Sequence, residues 1–289
     1  MVYALVALGL IVFWLAYSFA IEPRWLDVRR INLALPRWPA HLDGLRIALL
    51  SDPHFGALGS ERIVKQAIKV ADSEHFDMVI LTGDYTVRGR HTEGCGRVLA
   101  QLGRRPVVAV LGNHDYKAGG DVADGITNSL SDLGFTVLRN ESISVCTRLG
   151  AVRVAGLDDY CHDLADLTAT LGRLPDDGSG LILLTHTPEG AADLPPDSVD
   201  LVLSGHTHGG QINLPVLTPL LIRLLYSRFI AGTYWHRGAA IYVNRGLGSV
   251  GIPARFRCRP EITLITLRSA IRVPLLLTPP TDTGILRVP

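Results

Sequence analysis

Five short apolar runs, each ending on a residue able to bind a metal ion, constrain this sequence more than any other feature. They are RIALLSD (46–52), DMVILTGD (77–84), PVVAVLGNHD (106–115), LILLTH (181–186) and DLVLSGH (200–206). Unbroken runs of four or five aliphatic residues suit strands buried on both faces. Helical patterns lie between them. After Ser60, which is placed to cap, Ile63, Val64, Ala67, Ile68 and Ala71 recur at helical spacing. Further helices are expected over 92–102, 121–133 and 163–172, and further strands near 27–35 and over 152–157, 240–246 and 261–267. This alternation predicts an α/β sandwich in which helices cover the sheets.

The run endings carry the chemistry: Asp52-Pro53-His54, Gly83-Asp84, Gly112-Asn113-His114-Asp115, Thr185-His186 and Gly205-His206-Thr207-His208. Open α/β sheets build their sites just beyond the carboxyl ends of the strands. In Asp-x-His and His-x-His, alternate side chains of an extended chain point the same way, and Pro53 biases Asp52 towards extended backbone. Nitrogen and oxygen donors without a thiolate fit Mn, Zn, Fe, Co or Ni. Six or seven donors are too many for one tetrahedral zinc, whereas two ions sharing a carboxylate account for the number. Singly, each element is a common turn; weight comes from their order and glycine context.

The set DxH, GD, GNHD, H and GHTH resembles the calcineurin-type metallophosphoesterase superfamily across residues 46–208. The phrases LDGLRIALLSD, GHTHGGQI and YVNRGLG with RCRPEIT are similar to its membrane-associated YaeI/YkuE-like phosphodiesterase branch, near the UDP-2,3-diacylglucosamine pyrophosphatase of lipid A synthesis. The resemblance implies a four-layer α-β-β-α sandwich of two mixed sheets. It also implies that Asp52, His54 and His208 hold one divalent ion, with Mn first and Zn, Fe, Co or Ni as alternatives. Asn113, His186 and His206 would hold a second ion, and Asp84 would bridge the two. His114 would stand near the scissile phosphate as a catalytic acid, with Asp115 orienting a neighbouring imidazole.

Residues 2–21, VYALVALGLIVFWLAYSFAI, carry no charge, and about twenty apolar residues span a bilayer as a helix. A cleaved signal peptide would place its cut near Ser18-Phe19-Ala20, but no basic residue precedes the run. Arg24, Arg29, Arg30 and Arg37 follow it, which predicts a single-pass anchor with a cytoplasmic catalytic domain. The chain then divides into an anchor (1–22), a linker with the first strand (23–44), the catalytic domain (45–268) and a proline-rich, loosely ordered tail (269–289).

A net charge of +1, with no Lys/Arg run beyond two, gives no electrostatic footprint for nucleic acid. Four scattered cysteines suit reduced thiols. His41, His75, His91, His162 and His236 join no constellation. Arg245 and Arg255 read first as structural ion pairs and second as phosphate-facing cations. In LPVLTPLLIRLLYSRFI (214–230), Thr218 and Pro219 resemble an N-cap and first helical residue, followed by a stripe of Leu220, Leu221, Leu224, Leu225 and Phe229. A helix packed on the core is the first reading of this stripe, and a helix dipping into lipid headgroups the second. The expected whole is a monomeric phosphodiesterase or pyrophosphatase at the membrane, acting on a phosphate ester that is lipid-linked in the preferred reading. A broad-specificity enzyme for soluble esters and a non-catalytic metal scaffold are the alternatives.

Overall fold

The computed structural model describes residues 1–289 except 88, 90, 91, 104, 173–179, 226, 271–285 and 288–289. In chain order the elements are α1 (Val2–Ala16), β1 (Asp27–Leu35), β2 (Arg46–Leu50), α2 (Ser60–Ser73), β3 (Met78–Leu81), α3 (Thr92–Leu99), β4 (Val107–Ala109), α4 (Asn113–Tyr116), α5 (Gly120–Asp132), β5 (Thr136–Val137), β6 (Glu141–Thr147), β7 (Gly150–Gly156), α6 (Leu167–Leu171), β8 (Leu181–Leu184), β9 (Leu201–Ser204), α7 (Leu217–Leu225), β10 (Gly232–His236), β11 (Ala239–Val243), β12 (Glu261–Ser269) and β13 (Leu286–Arg287).

Two mixed sheets form, ordered β1-β12-β2-β3-β4-β5 and β13-β10-β11-β9-β8-β7-β6. The β2 run shows why they stack. Ile47 and Leu49 face the second sheet and pack with Ile80, Val154, Ile182 and Leu203. Ala48 and Leu50, one residue out of phase, face α2 and its Ile63, Val64, Ala67 and Ile68. Period-two alternation with both faces covered demands an unbroken aliphatic run, and that run is what the sequence holds. On the far side, Leu183, Val202 and Ile241 meet Leu194, Phe229 and Tyr234. The four-layer sandwich is therefore present.

Boundary details differ. Gly59, left-handed at φ 81°, occupies the N-cap of α2, and Ser60 is its first residue. α6 starts at Leu167, where Asp166 accepts the Ala169 N–H as a side-chain cap. β6 and β10 were not anticipated: both carry polar residues on half-buried faces, so no apolar run marks them. The expectation for 269–289 falls outside the described residues, save Ser269, Ala270 and the Leu286–Arg287 bridge to Tyr234 and Trp235. His91 also lies outside the described residues.

Helix α1 continues through a π-helical turn (Tyr17–Ile21) and a short 3-10 turn (Glu22–Arg24). Within the Val2–Arg24 segment an 18-residue window reaches a mean hydropathy of 2.3, and this is the one helix among the described residues long and apolar enough to cross a membrane. Its root is docked. Ser18 and Glu22 are buried, the Ser18 carbonyl accepts the Arg255 N–H at 2.9 Å, and the Glu22 carboxylate accepts the Cys258 N–H.

Candidate metal centre

The strand ends deliver their polar residues to one crevice between the carboxyl edges of the two sheets. Beyond β2 and β3 the chains keep pairing: His54 N–H donates to the Asp84 carbonyl at 3.0 Å and Phe55 N–H to that of Tyr85 at 2.8 Å. On the other side, Leu247 and Gly248 donate to the carbonyls of Ser51 and Asp52 at 2.9 and 2.7 Å. The Asp52-Pro53-His54 segment is thus clamped between two loops.

Its backbone is not extended. Asp52, His54, Asp84, His206 and His208 all have positive φ, between 44° and 70°. The alternation argument for Asp-x-His and His-x-His is therefore corrected, as is the expectation that Pro53 keeps Asp52 extended. Left-handed turns immediately after the strands aim these side chains inward. Each left-handed residue other than glycine costs about 1–3 kcal/mol and persists only when its surroundings over-determine it. Glycines give the room. A Cβ on Gly205 would lie 1.9 Å from Ser51 Oγ and 2.3 Å from Asp52 Oδ2, and one on Gly112 would lie 2.3 Å from Asp84 Oδ1.

Two donor groups result. In the first, the Nε2 atoms of His54 and His208 are 3.0 Å apart, and Asp52 Oδ1 is 3.4 Å from His208 Nε2. In the second, Asn113 Oδ1 lies 3.2 Å from both His186 Nε2 and His206 Nδ1, which are themselves 3.2 Å apart. Asp84 Oδ2 stands between the groups, 3.4 Å from His54 Nε2 and 3.4 Å from His186 Nε2. Separations of 3.0–3.4 Å suit two donors on one ion at bond lengths of about 2.0–2.1 Å and near-right angles.

The protonation chemistry fits cations. Burial first, then neighbouring positive charge, lowers His54 to about 3 and His206 to about 4, and holds His208 well below the ordinary histidine range. These rings are neutral and have lone pairs to give. At His186, burial works downward, but the charge and hydrogen bond of Asp84, the Asp52 charge and the Thr82 carbonyl together outweigh it and raise the pKa. Asp84 is correspondingly held low, because His186 overcomes its burial. Burial raises Asp52 to about 6, opposed by the His186 charge. His186 Nδ1 lies 2.7 Å from the Thr82 carbonyl, so the proton sits there and Nε2 faces the crevice.

His114, the second residue of α4, stands beside this cluster. Its N–H donates to Asp84 Oδ1 at 2.7 Å, its ring meets His54 edge-on at 4.8 Å between centroids, and Lys117 Nζ contacts its Nε2. Asp115 does not orient an imidazole. Its buried carboxylate accepts N–H groups from Gly112 (2.9 Å), Asp84 (3.0 Å), Tyr85 (2.9 Å) and Thr86 (3.4 Å), pinning the β3 and β4 loops together. Arg255 is fully buried and donates to the carbonyls of Arg245, Gly246 and Cys258, lying 3.3 Å from His208 Nδ1. Arg245 pairs with Glu261 at 3.0 Å and Asp27 at 3.4 Å. Both arginines are structural. The sequence offered no sign of Ser51, whose hydroxyl donates to Asp52 Oδ2 and accepts from Thr82 at 2.7 Å.

The family model for calcineurin-like phosphoesterases matches residues 45–210, more than half of the chain and every donor described above. The chain belongs to this family. It is 32% identical over 260 residues to the metallophosphoesterase YkuE of Bacillus subtilis, covering 88% of this chain and 89% of that protein. It is 28% identical over 258 residues to the phosphodiesterase YaeI of Escherichia coli, covering 87% and 92%. A shorter stretch of 100 residues, 36% identical, matches the UDP-2,3-diacylglucosamine pyrophosphatase LpxG of Chlamydia trachomatis, covering 33% of this chain and 30% of that protein. As a calcineurin-like phosphoesterase of this branch, the chain is a metal-dependent phosphohydrolase.

Proposed function

We propose that this phosphohydrolase cleaves a phosphodiester or pyrophosphate bond at the cytoplasmic face of a membrane, on a lipid-linked substrate. The position of Asp84 carries the dinuclear part of this reading: one carboxylate oxygen is equidistant from a donor of each group. Asp52, His54 and His208 would hold one ion, Asn113, His186 and His206 the other, and Asp84 would touch both. Mn fits this donor set first, with Zn, Fe, Co and Ni as alternatives. When bound, such a pair supplies a Lewis acid for the phosphate oxygens and an acidified water.

The chain's own residues supply the rest. Asp84, held ionised, and Asp52 carry less negative charge than two divalent ions would bring, so an occupied site would be net positive and would attract an anionic phosphate. His114 is only partly buried and stands at the crevice rim beside Asp84. From there its ring reaches the leaving oxygen to give it a proton, and Lys117 adds positive charge facing the same phosphate. The lipid-linked substrate is supported by the apolar α1 segment rooted beside the site and by the pyrophosphatase LpxG among the relatives.

The test uses the full chain in detergent or vesicles. Metal analysis should find two ions per chain, with turnover of bis-p-nitrophenyl phosphate and of a vesicle-borne lipid diphosphate. Asp84→Asn should lose both the ions and the turnover. Two bound ions with no turnover of any phosphate ester would reject the catalytic reading. Turnover confined to soluble esters would reject the lipid part alone. In intact cells, an impermeant maleimide should reach the exposed Cys146 and Cys161 only after lysis.

A further inference from the structure

Of the stripe expected to pack on the core, Leu220, Leu221 and Leu224 are instead exposed, and the side chain of Leu225 lies outside the described residues. Leu217, Leu220, Leu221 and Leu224 are exposed at 50%, 53%, 45% and 71%. Their spacing, i, i+3, i+4 and i+7, aligns them on one side of α7. Phe229, read as part of the stripe, lies beyond the helix and is buried against Tyr234 and His236. Thr218 is not an N-cap. Its hydroxyl donates to the Ile212 carbonyl at 2.8 Å and accepts the Leu214 N–H at 3.0 Å, stitching the start of α7 to the segment before it.

That segment leads directly to the root of α1. Asn213 N–H donates to the Phe256 carbonyl at 2.8 Å, and Phe256 N–H to that of Gln211 at 2.9 Å. The Phe256 ring in turn packs edge-on against Trp14 and Tyr17 of the apolar helix, at 5.7 and 6.4 Å. Two residues on, Cys258 Sγ contacts the His208 carbonyl at 3.0 Å. One short β-bridged segment therefore touches α1, α7 and the loop of a metal-centre histidine. At the same root, exposed Trp25 stacks under Arg259 at 4.7 Å, and Arg24 and Arg257 are exposed. An aromatic ring among arginines is the usual composition of a membrane–water boundary.

We propose that α7 is a second membrane contact, lying in the headgroup and upper acyl layer of the same bilayer that α1 enters. The occupant of the leucine face is lipid, because α7 is tied by hydrogen bonds to the bridged segment whose Phe256 ring packs on Trp14 and Tyr17 of the one helix among the described residues suited to crossing a bilayer. A soluble monomer that left such a row bare would expose an aggregation surface. Short amphipathic helices of this kind bind at the depth where headgroup phosphates lie. The proposal rests on α1 being a membrane anchor. It deepens the reading of a lipid-linked substrate, since it sets the centre beside lipid phosphates.

The experiment uses the full chain reconstituted in phosphatidylcholine–phosphatidylglycerol vesicles. With Cys146 and Cys161 replaced by serine, Leu224→Cys is labelled with the environment-sensitive dye NBD. Leu220→Cys serves as a second position and exposed Asn128→Cys on α5 as a water-facing control. Retained turnover of bis-p-nitrophenyl phosphate verifies folding and reports on the phosphoesterase reading separately. The expected result at 220 and 224 is blue-shifted emission, loss of iodide quenching relative to 128, and strong quenching by lipids carrying a shallow doxyl group. Iodide quenching equal to that at 128 would overturn the proposal. So would shielding without doxyl quenching, the signature of a second copy of the chain covering the face.

Discussion

Replacing Asp115 tests whether its carboxylate is a pin between loops. Both of its oxygens are taken by backbone N–H groups, three of them at 2.9–3.0 Å, and the residue is fully buried. Asn is nearly isosteric, but its amide must turn an NH₂ towards donors: either to Tyr85 and Thr86, or to Asp84 and Gly112. One or two buried N–H groups are then orphaned, at about 1–3 kcal/mol each. Burial, and then the Asp84 charge, raise the Asp115 pKa, so losing the carboxylate charge returns part of this. A net loss of about 2–4 kcal/mol follows, a large share of the roughly 5–15 kcal/mol that holds a domain folded. Guanidinium unfolding of the full chain in micelles, followed by circular dichroism, measures it. A change under about 0.5 kcal/mol, the size of an ordinary surface substitution, would refute the pin. Unchanged stability with altered metal affinity would restore the imidazole-orienting role.

The other predictions are shorter. His114→Ala should keep both ions and lower kcat by about 10²–10⁴-fold, the usual yield of one general acid; full activity would remove His114 from the mechanism. Chelated protein should lose stability as pH falls from 6.5 towards 4. His54, His206 and His208 have depressed pKa values, so the unfolded chain takes up their protons first. Asp52 and Asp115, raised to about 6 and about 8, oppose this with one proton each, leaving a net uptake of about one proton and a slope of about 1.4 kcal/mol per pH unit. A melting temperature flat or rising on acidification through that window would contradict the assignment of these rings as buried and neutral.

Much of this fold is legible because burial on both faces leaves no freedom in composition. The RIALL run must be a central strand, since Ile47 and Ala48 face opposite layers and both are apolar. The donors were legible because each follows such a run. The strands β6 and β10 were not: Thr233, Trp235 and His236 of β10 are only partly buried, so no apolar run marks it. The left-handed φ of Asp52 and His54 has no local signature either. It is imposed by the loops at 83–87 and 246–248, distant in sequence. The leucines of α7 show a further limit, because a stripe of leucine reads the same whether protein or lipid covers it.

The pairing of β1 with β12 has a consequence for how the molecule is made. Asp27–Leu35 lies in register with Glu261–Ser269, and β12 sits between β1 and β2. During translation β1 emerges early, directly after the apolar helix α1, and then has no neighbour. At about 5–20 residues per second, the more than two hundred residues before β12 take roughly ten to forty seconds to appear. Until then the first sheet has a gap, and the Gly246–Gly248 loop that closes over Asp52 is not yet anchored. A chain that stops before β12 carries all seven donors but lacks the strand that anchors this loop, so the expected outcome is hydrolytic activity only once β12 has paired.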